Sequence, residues 1–287
     1  LAGGDPVPSE AQNAEIQKWC ADVSAAGKPF GWDLNPCKGV DWRKAGTSTE
    51  GRPLVYAEFG EKDAENTSLV FSSIHGDEIT PFYLGMQLVE WLRSHQEEFG
   101  KKHHVRVIIA PLVNPDGFFR SPRTRMNARG VDLNRNFATK DWDSRALSSW
   151  KTRFRSDPRR YPGPSAHSEP ETIFQEQLIS KFHPRKILSI HAPLNFMDYD
   201  GPSALSLARF PKDYVKSCLA LRSRLRAVSG GFFPGSLGNF AGQEMGIPTL
   251  TLELPTAEAN RAESYWLKFK SGIQTMIQFE VPRGDAH

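Results

Sequence analysis

The sequence lacks most of what would place it in a specialised class. In 287 residues there are only three cysteines, Cys20, Cys37 and Cys218, too few for a disulfide-dense mini-scaffold. Charges nearly cancel, leaving +3, so there is no overall field of the kind that holds nucleic acid. No apolar run approaches the ~20 residues that span a bilayer. No internal repeat is visible, which excludes solenoids and propellers. The chain opens on the polar stretch from Leu1 without the charged and apolar regions of a secretory leader, so any leader is expected to have been removed or never to have existed. The length suits one large domain, able to bury roughly three quarters of its unfolded surface without staples.

What is present is an alternation of strand-like and helix-like segments. Residues 1–50 read as an appendage: a polar start, a helical pattern over 10–23, then a loop with Gly27, Pro29, Gly31 and Pro36. Cys20 and Cys37 flank that loop, which has little apolar content of its own. A disulfide there would pin it and imply an oxidising compartment; unrelated reduced thiols are the alternative. Further on, 54–59 and 68–74 have strand character, and 81–99 reads as an amphipathic helix. Residues 105–112 form a nearly unbroken apolar run, the mark of a strand buried on both faces. Residues 113–167 read mostly as loop, and so long a loop in a compact domain is usually functional. Ser168-Glu-Pro-Glu171 matches a capping box opening a helix to about Phe182. Segments 186–190 and 249–254 read as strands, 212–228 and 258–278 as helices. This alternation predicts an α/β fold with a mixed, mostly parallel sheet sandwiched by helices.

Four constellations carry chemistry. His75-Gly-Asp-Glu78 leaves a buried strand, where active-site groups of α/β folds collect. A His and a Glu three residues apart can converge on one cation, with Gly76 allowing a tight turn. His191 ends another strand; two His and one carboxylate with a water in the fourth position make a catalytic zinc site. A hydrogen-bonded core histidine is the bland reading of either His alone. Glu253 lies in an otherwise apolar strand, where a carboxylate must be paired, protonated or functional; beside a metal-bound water it would be a general base. Finally, Arg125 to Phe137 concentrates arginine and asparagine, suited to binding carboxylates and stabilising an oxyanion. A solvated basic face is the alternative, as it is for the cluster at 151–160.

His75-Gly-Asp-Glu78, Asn114-Pro-Asp-Gly117, Gly130-Val-Asp-Leu-Asn-Arg-Asn-Phe137, His191 and Leu252-Glu-Leu254 stand in the order seen in carboxypeptidase A-type zinc peptidases. The resemblance covers about residues 45–280. It implies one zinc ion on His75, Glu78 and His191, Glu253 as base, Arg125 as oxyanion stabiliser, and Asn134 and Arg135 gripping a substrate carboxylate. The division read from the residues is an N-terminal extension over 1–50 and a catalytic domain over 51–287, and that extension departs from the family's pattern. Ser189-Ile-His-Ala-Pro-Leu194, Pro234-Gly-Ser-Leu-Gly238 and the run 246–255 are similar to murein peptide amidases. Those enzymes cut the γ-D-glutamyl to meso-diaminopimelate bond of peptidoglycan peptides, so the expected partner is a peptidoglycan-derived peptide. Tyr199 lies in a different stretch from the tyrosine that digestive members place over the substrate. Asp198 and Asp200 are near His191 in sequence, but neither is assigned to a substrate ammonium. The alternatives are trimming of ordinary C-terminal peptides, another peptidoglycan bond, deacylation of small N-acyl amino acids, or a non-catalytic binding module. The Cys20 and Cys37 pair points to a periplasmic or secreted enzyme, with the cytoplasm as the alternative.

Overall fold

The computed structural model of the chain describes residues 8–202, 212–213, 224–225 and 233–281. The described strands form one sheet: β1 (Arg43–Thr47), β2 (Pro53–Gly60), β3 (Asn66–Ser72), β4 (Val105–Ala110), β5 (Lys186–His191), β6 (Phe196–Asp200), β7 (Arg224–Leu225) and β8 (Thr249–Glu253). Their spatial order is β1-β2-β4-β3-β5-β8-β6-β7. The central β4, β3, β5 and β8 are parallel, while β1–β2, β2–β4 and β6–β8 pair antiparallel. β3 and β5 are buried at every residue, as a central strand covered on both faces must be.

The described helices are α1 (Glu10–Gly27), α2 (Ile79–Ser94), α3 (Pro115–Phe119), α4 (Trp142–Thr152), α5 (Pro170–Phe182) and α6 (Ala262–Gln278). One face of the sheet presents Val70, Leu188, Ile190, Leu250 and Leu252 to α1, α2 and α6 through Trp19, Phe82, Leu88, Phe269 and Ile273. The other presents Leu69, Phe71, Ile108 and Ile187 to α5 and the turn Gly238–Glu244 through Phe174, Leu178, Leu237 and Ala241. The alternation of side chains along each strand divides the core in this way.

The N-terminal residues share this core. A capping box between Ser9 and Gln12 starts α1, and Ile16, Trp19, Cys20 and Val23 pack with Trp32, Trp42 and Val55. The Cys20–Cys37 disulfide is formed, with the Cα atoms 5.7 Å apart. Lys44 pairs with Glu15 at 2.5 Å. β1 precedes residue 50 and pairs with β2 beyond it.

Several elements differ from expectation. Residues 113–167 contain α3 and α4 as well as loop; α4 buries only Trp142 and Ala146 and has no side-chain cap, so it carries neither an apolar stripe nor a start signal. α5 begins without the expected capping box: Glu169 is the N-cap and makes no side-chain cap bond, because Ser168 Oγ instead donates to the Glu169 carboxylate at 2.7 Å. Most of the helix expected at 212–228 lies outside the described residues; 212–213 are helical, and Arg224–Leu225 are the short strand β7. α2 runs from Ile79 to Ser94, and a π-helical turn, Glu97–Lys102, follows it.

Candidate active site

The chain passes from β3 to β4 on one side and later returns to β5 on the other. The carboxyl ends of β3 and β5 therefore flank a topological switch point, where α/β sheets open a crevice. His75 lies just past the end of β3, and His191 is the last residue of β5. Glu253 ends β8, directly opposite His191 in the parallel ladder. Three adjacent strand ends thus deliver three of the residues singled out in the sequence.

His75, Glu78 and His191 are buried, and one donor atom from each lies within 4.8 Å of the others. His75 Nδ1 is 2.7 Å from Glu78 Oε1 and 3.3 Å from His191 Nδ1, and His191 Nδ1 is 3.3 Å from Glu78 Oε2. The Ala192 N–H donates to Glu78 Oε2 at 3.2 Å. Burial alone would raise the Glu78 carboxyl, but the two imidazoles hold it down at about 2. Two imidazole nitrogens and an ionised carboxylate facing one point are a three-ligand set of the catalytic zinc type. Gly76 is needed for closeness, not for a left-handed turn. A Cβ there would run into the backbone of Gly117 and Phe118 and come within 2.6 Å of Thr124 O. The His75–Glu78 turn and the Asn114-Pro-Asp-Gly117 segment are thus in direct backbone contact.

A residue to which the sequence gave no role proves central. Asp132 is fully buried. It accepts from His75 Nε2 at 3.0 Å, from Arg125 Nε and Nη2 at 3.1 and 2.9 Å, and from the Asn134 N–H at 3.0 Å. Burial opposes its ionisation, but Arg125 and His75 hold it well below the usual carboxylate range. Because His75 Nε2 donates to Asp132, Nδ1 keeps its lone pair for a metal. Asn114 Nδ2 donates to the Arg125 carbonyl at 3.2 Å, and Arg125 Nη1 stands 3.9 Å from Glu78 Oε1. Arg125 therefore stands beside the His75, Glu78 and His191 cluster. The signal that could have found Asp132 was its place in Gly130-Val-Asp-Leu-Asn-Arg, where an acidic residue sits among apolar and basic neighbours.

Glu253 is nearly buried, and burial together with the nearby Glu78 raises its carboxyl against the pull of His191 and His75. Its Oε2 accepts from the Leu194 N–H at 3.3 Å. Asn134 Oδ1 accepts from the Leu237 N–H at 2.9 Å. The Arg135 guanidinium lies 4.6 Å from the centre of the Phe233 ring and bonds its neighbour's carbonyl through Nη1 at 2.7 Å. It has no carboxylate within ion-pair distance among the described residues, and desolvation pushes it down to about 10. Of the other loop arginines, Arg129 faces Glu169 at 3.6 Å, and Arg123 packs on Phe118. In the second basic cluster Arg159 pairs with Asp77 at 2.8 Å, so part of that cluster closes onto the site and is not merely solvated. Asp198 and Asp200 are buried on β6, opposite Thr251 and Thr249 of β8, and so share the face that carries Glu253.

Comparison with known proteins agrees with this geometry. The chain is 30% identical over 219 residues to murein peptide amidase A of Vibrio campbellii, covering 75% of this chain and 79% of the relative. It is 29% identical over 226 residues to the Escherichia coli amidase of the same name, covering 77% and 84%. The crystal structure of a murein-tripeptide amidase from Escherichia coli O157 shares the fold, with a TM-score of 0.60 and 24% identity over 84% of this chain and 93% of that one. A carboxypeptidase A from Helicoverpa armigera does so at a TM-score of 0.64 and 19% identity, over 94% and 73%. The sequence model of the zinc carboxypeptidase family matches residues 39–282, and the chain belongs to that family of zinc metallopeptidases.

Proposed function

We propose that this enzyme hydrolyses the γ-D-glutamyl to meso-diaminopimelate bond of peptidoglycan stem peptides. The observation that carries the reading is the convergence of His75, Glu78 and His191 with Glu253 and the loop residue Arg125 beside adjoining strand ends, in a chain similar over three quarters of its length to murein peptide amidases. One zinc ion held by His75, Glu78 and His191 would supply Lewis acidity and a water acidified toward neutrality. Glu253, kept basic enough by its raised pKa, takes the proton from the attacking water and passes it to the leaving amine. The Arg125 guanidinium donates to the oxygen on which charge develops, a contribution of about 3 kcal/mol to the barrier. Asp132 keeps both His75 and Arg125 aimed.

Arg135 fits the role of carboxylate receptor on the leaving side. A recessed guanidinium with no carboxylate partner among the described residues gains most from a bound anion. Asn134 is held beside it by Leu237 and would share that carboxylate. The disulfide supports a periplasmic or secreted location. The test is digestion of purified muropeptides beside L-peptides with free C-termini, with products read by mass spectrometry. Release of diaminopimelate-containing fragments from tripeptide or tetrapeptide stems is expected, with L-peptides cut poorly. Efficient trimming of L-peptides with muropeptides untouched would leave only the carboxypeptidase alternative.

A further inference from the structure

Behind the loop that carries Arg125 and Asp132 lies a pair of buried carboxyl groups that the mechanism does not use. Glu169 and Glu171, at the start of α5, are fully buried. Asn127 Nδ2 donates to Glu169 Oε2 at 2.8 Å and to Glu171 Oε2 at 3.0 Å. The same side chain closes the turn between the two site residues. Its Oδ1 accepts from the N–H groups of Arg129 and Val131, both at 3.1 Å, and its own N–H donates to Val131 O at 3.0 Å. On the far flank, Asn136 Oδ1 accepts from the Glu169 N–H at 3.2 Å and its Nδ2 donates to Pro162 O and Ser165 O. The segment from Arg125 to Arg135 is thus pinned to the first turn of α5 on both sides.

Two adjacent carboxylates this deeply buried are not both stable as anions. Glu169 is the better supported, with donors from Ser168 and Asn127 and the Arg129 guanidinium at 3.6 Å. Glu171 has Asn127 and its own backbone N–H, and its Oε1 is buried without a partner. One helical turn further along the same face, the Gln175 side-chain oxygen is also buried without a partner. Residues at i and i+4 are neighbours on a helix. A single proton on Glu171 Oε1 removes one of the two buried negative charges and turns an unpartnered acceptor into a donor.

We propose that Asn127 is a positioning residue for Arg125 and Asp132, and that a proton retained by Glu171 spares the Glu169 and Glu171 pair on which Asn127 rests a second buried negative charge. The charged groups facing Glu171 are Glu169 on its own helix, Asp116 on α3 and, through Glu169, Arg129. Burial, with smaller additions from Asp116 and Glu169, raises the Glu171 carboxyl to about 7 against the pull of its hydrogen bond from Asn127. The sign follows from linkage. Between about 4.5 and 7 the native state binds this proton and the unfolded chain does not, so its stabilising contribution shrinks as pH rises through that window. Above it two like charges are buried side by side beneath Asn127, and their repulsion loosens the arginine loop. The activity part rests on the oxyanion role proposed for Arg125; the protonation part does not.

The test uses the zinc-loaded enzyme. Asn127→Ala should lower kcat by about 10- to 100-fold with KM little changed, as expected when a reacting group is misplaced by around an ångström. In an Arg125→Ala background the same change should cost little more, because both act through one group. Losses that multiply would overturn the positioning role, as would normal turnover. If Asn127→Ala does not fold, Glu171→Gln carries the test. The kcat/KM ratio of Glu171→Gln to wild type should rise severalfold from pH 6 to 8. Infrared difference spectra of the two at pH 6 should show the carbonyl band of a protonated carboxylic acid in wild type only. A flat ratio and an absent band would overturn the retained proton whatever the substrate proves to be.

Discussion

Asp132→Asn is the sharpest test of how the site is held together. The substitution keeps the size of the side chain and removes its charge. It touches four contacts at once: His75 Nε2, Arg125 Nε and Nη2, and the Asn134 N–H. Hydrogen bonds to charged groups contribute about 1.5–3 kcal/mol each, and losing one partner of a buried ion pair costs about 3–5 kcal/mol because the other charge stays behind. Arg125 is only partly exposed, so the lower end, about 3 kcal/mol of stability, is the working figure. Metal affinity falls separately. Support of this kind for a ligating histidine accounts for about 10- to 100-fold, since an amide no longer fixes which His75 nitrogen carries the proton. Zinc dissociation constants from chelator competition, with urea unfolding of the same samples, give both numbers. A variant that binds zinc as tightly as wild type would refute the claim that Asp132 sets the His75 tautomer.

Three further outcomes are expected. Glu253→Gln should lose turnover by at least about 100-fold while zinc content, read by atomic absorption, stays at wild-type level, because Glu253 is not a ligand. Replacing Cys20 and Cys37 together by serine should lower stability by about 3 kcal/mol, seen in urea melts, with activity at 25 °C preserved because the disulfide lies in the segment preceding β1. Lys186 is buried, donates to Asn66 Oδ1 and Phe279 O at 2.6 Å each, and is pushed down to about 7 by burial. From pH 7 to about 10.5 the unfolded chain therefore binds more protons than the native one, so this group's contribution to stability rises with pH; urea midpoints of Lys186→Met at pH 7 and 9 should lack that rise.

The sequence exposed the parts of the fold that obey periodicity. β4 announces itself as a nearly unbroken apolar run, and β3, β5 and β8 do so through short clusters or alternations of Leu, Ile, Val and Phe. β1 and β6 do not, since Arg43-Lys-Ala-Gly-Thr47 is only partly buried and Phe196-Met-Asp-Tyr-Asp200 carries two aspartates into the interior. The candidate ligands His75 and His191 were legible because each stands at or just past the end of a legible strand, with Glu78 three residues on from His75. Asp132 and Asn127 were not. Their importance lies in contacts to His75, Glu169 and Glu171 across tens of residues of chain, and no local pattern encodes those. Gly76 was legible as the glycine of the His75–Glu78 turn, but its close approach to Gly117 was not, since that neighbour is remote in sequence.

The placement of His75 and His191 on β3 and β5 has a consequence for how the protein comes apart. The two strands are side by side in the sheet yet separated by more than a hundred residues of chain. Their pairing closes a long loop and is among the entropically expensive steps of assembly. A cation bridging their ends ties that seam shut, and its binding energy is added to the strand pair specifically. Chelation should therefore unlatch the middle of the sheet before its margins. The amides of Leu69 to Ser72 and Leu188 to Ile190 would exchange with solvent faster, while those of β1 and β2 keep their protection. Zinc would then act as a clasp for the fold as well as a reagent, and loss of metal would read out first as a breathing seam at the centre of the molecule.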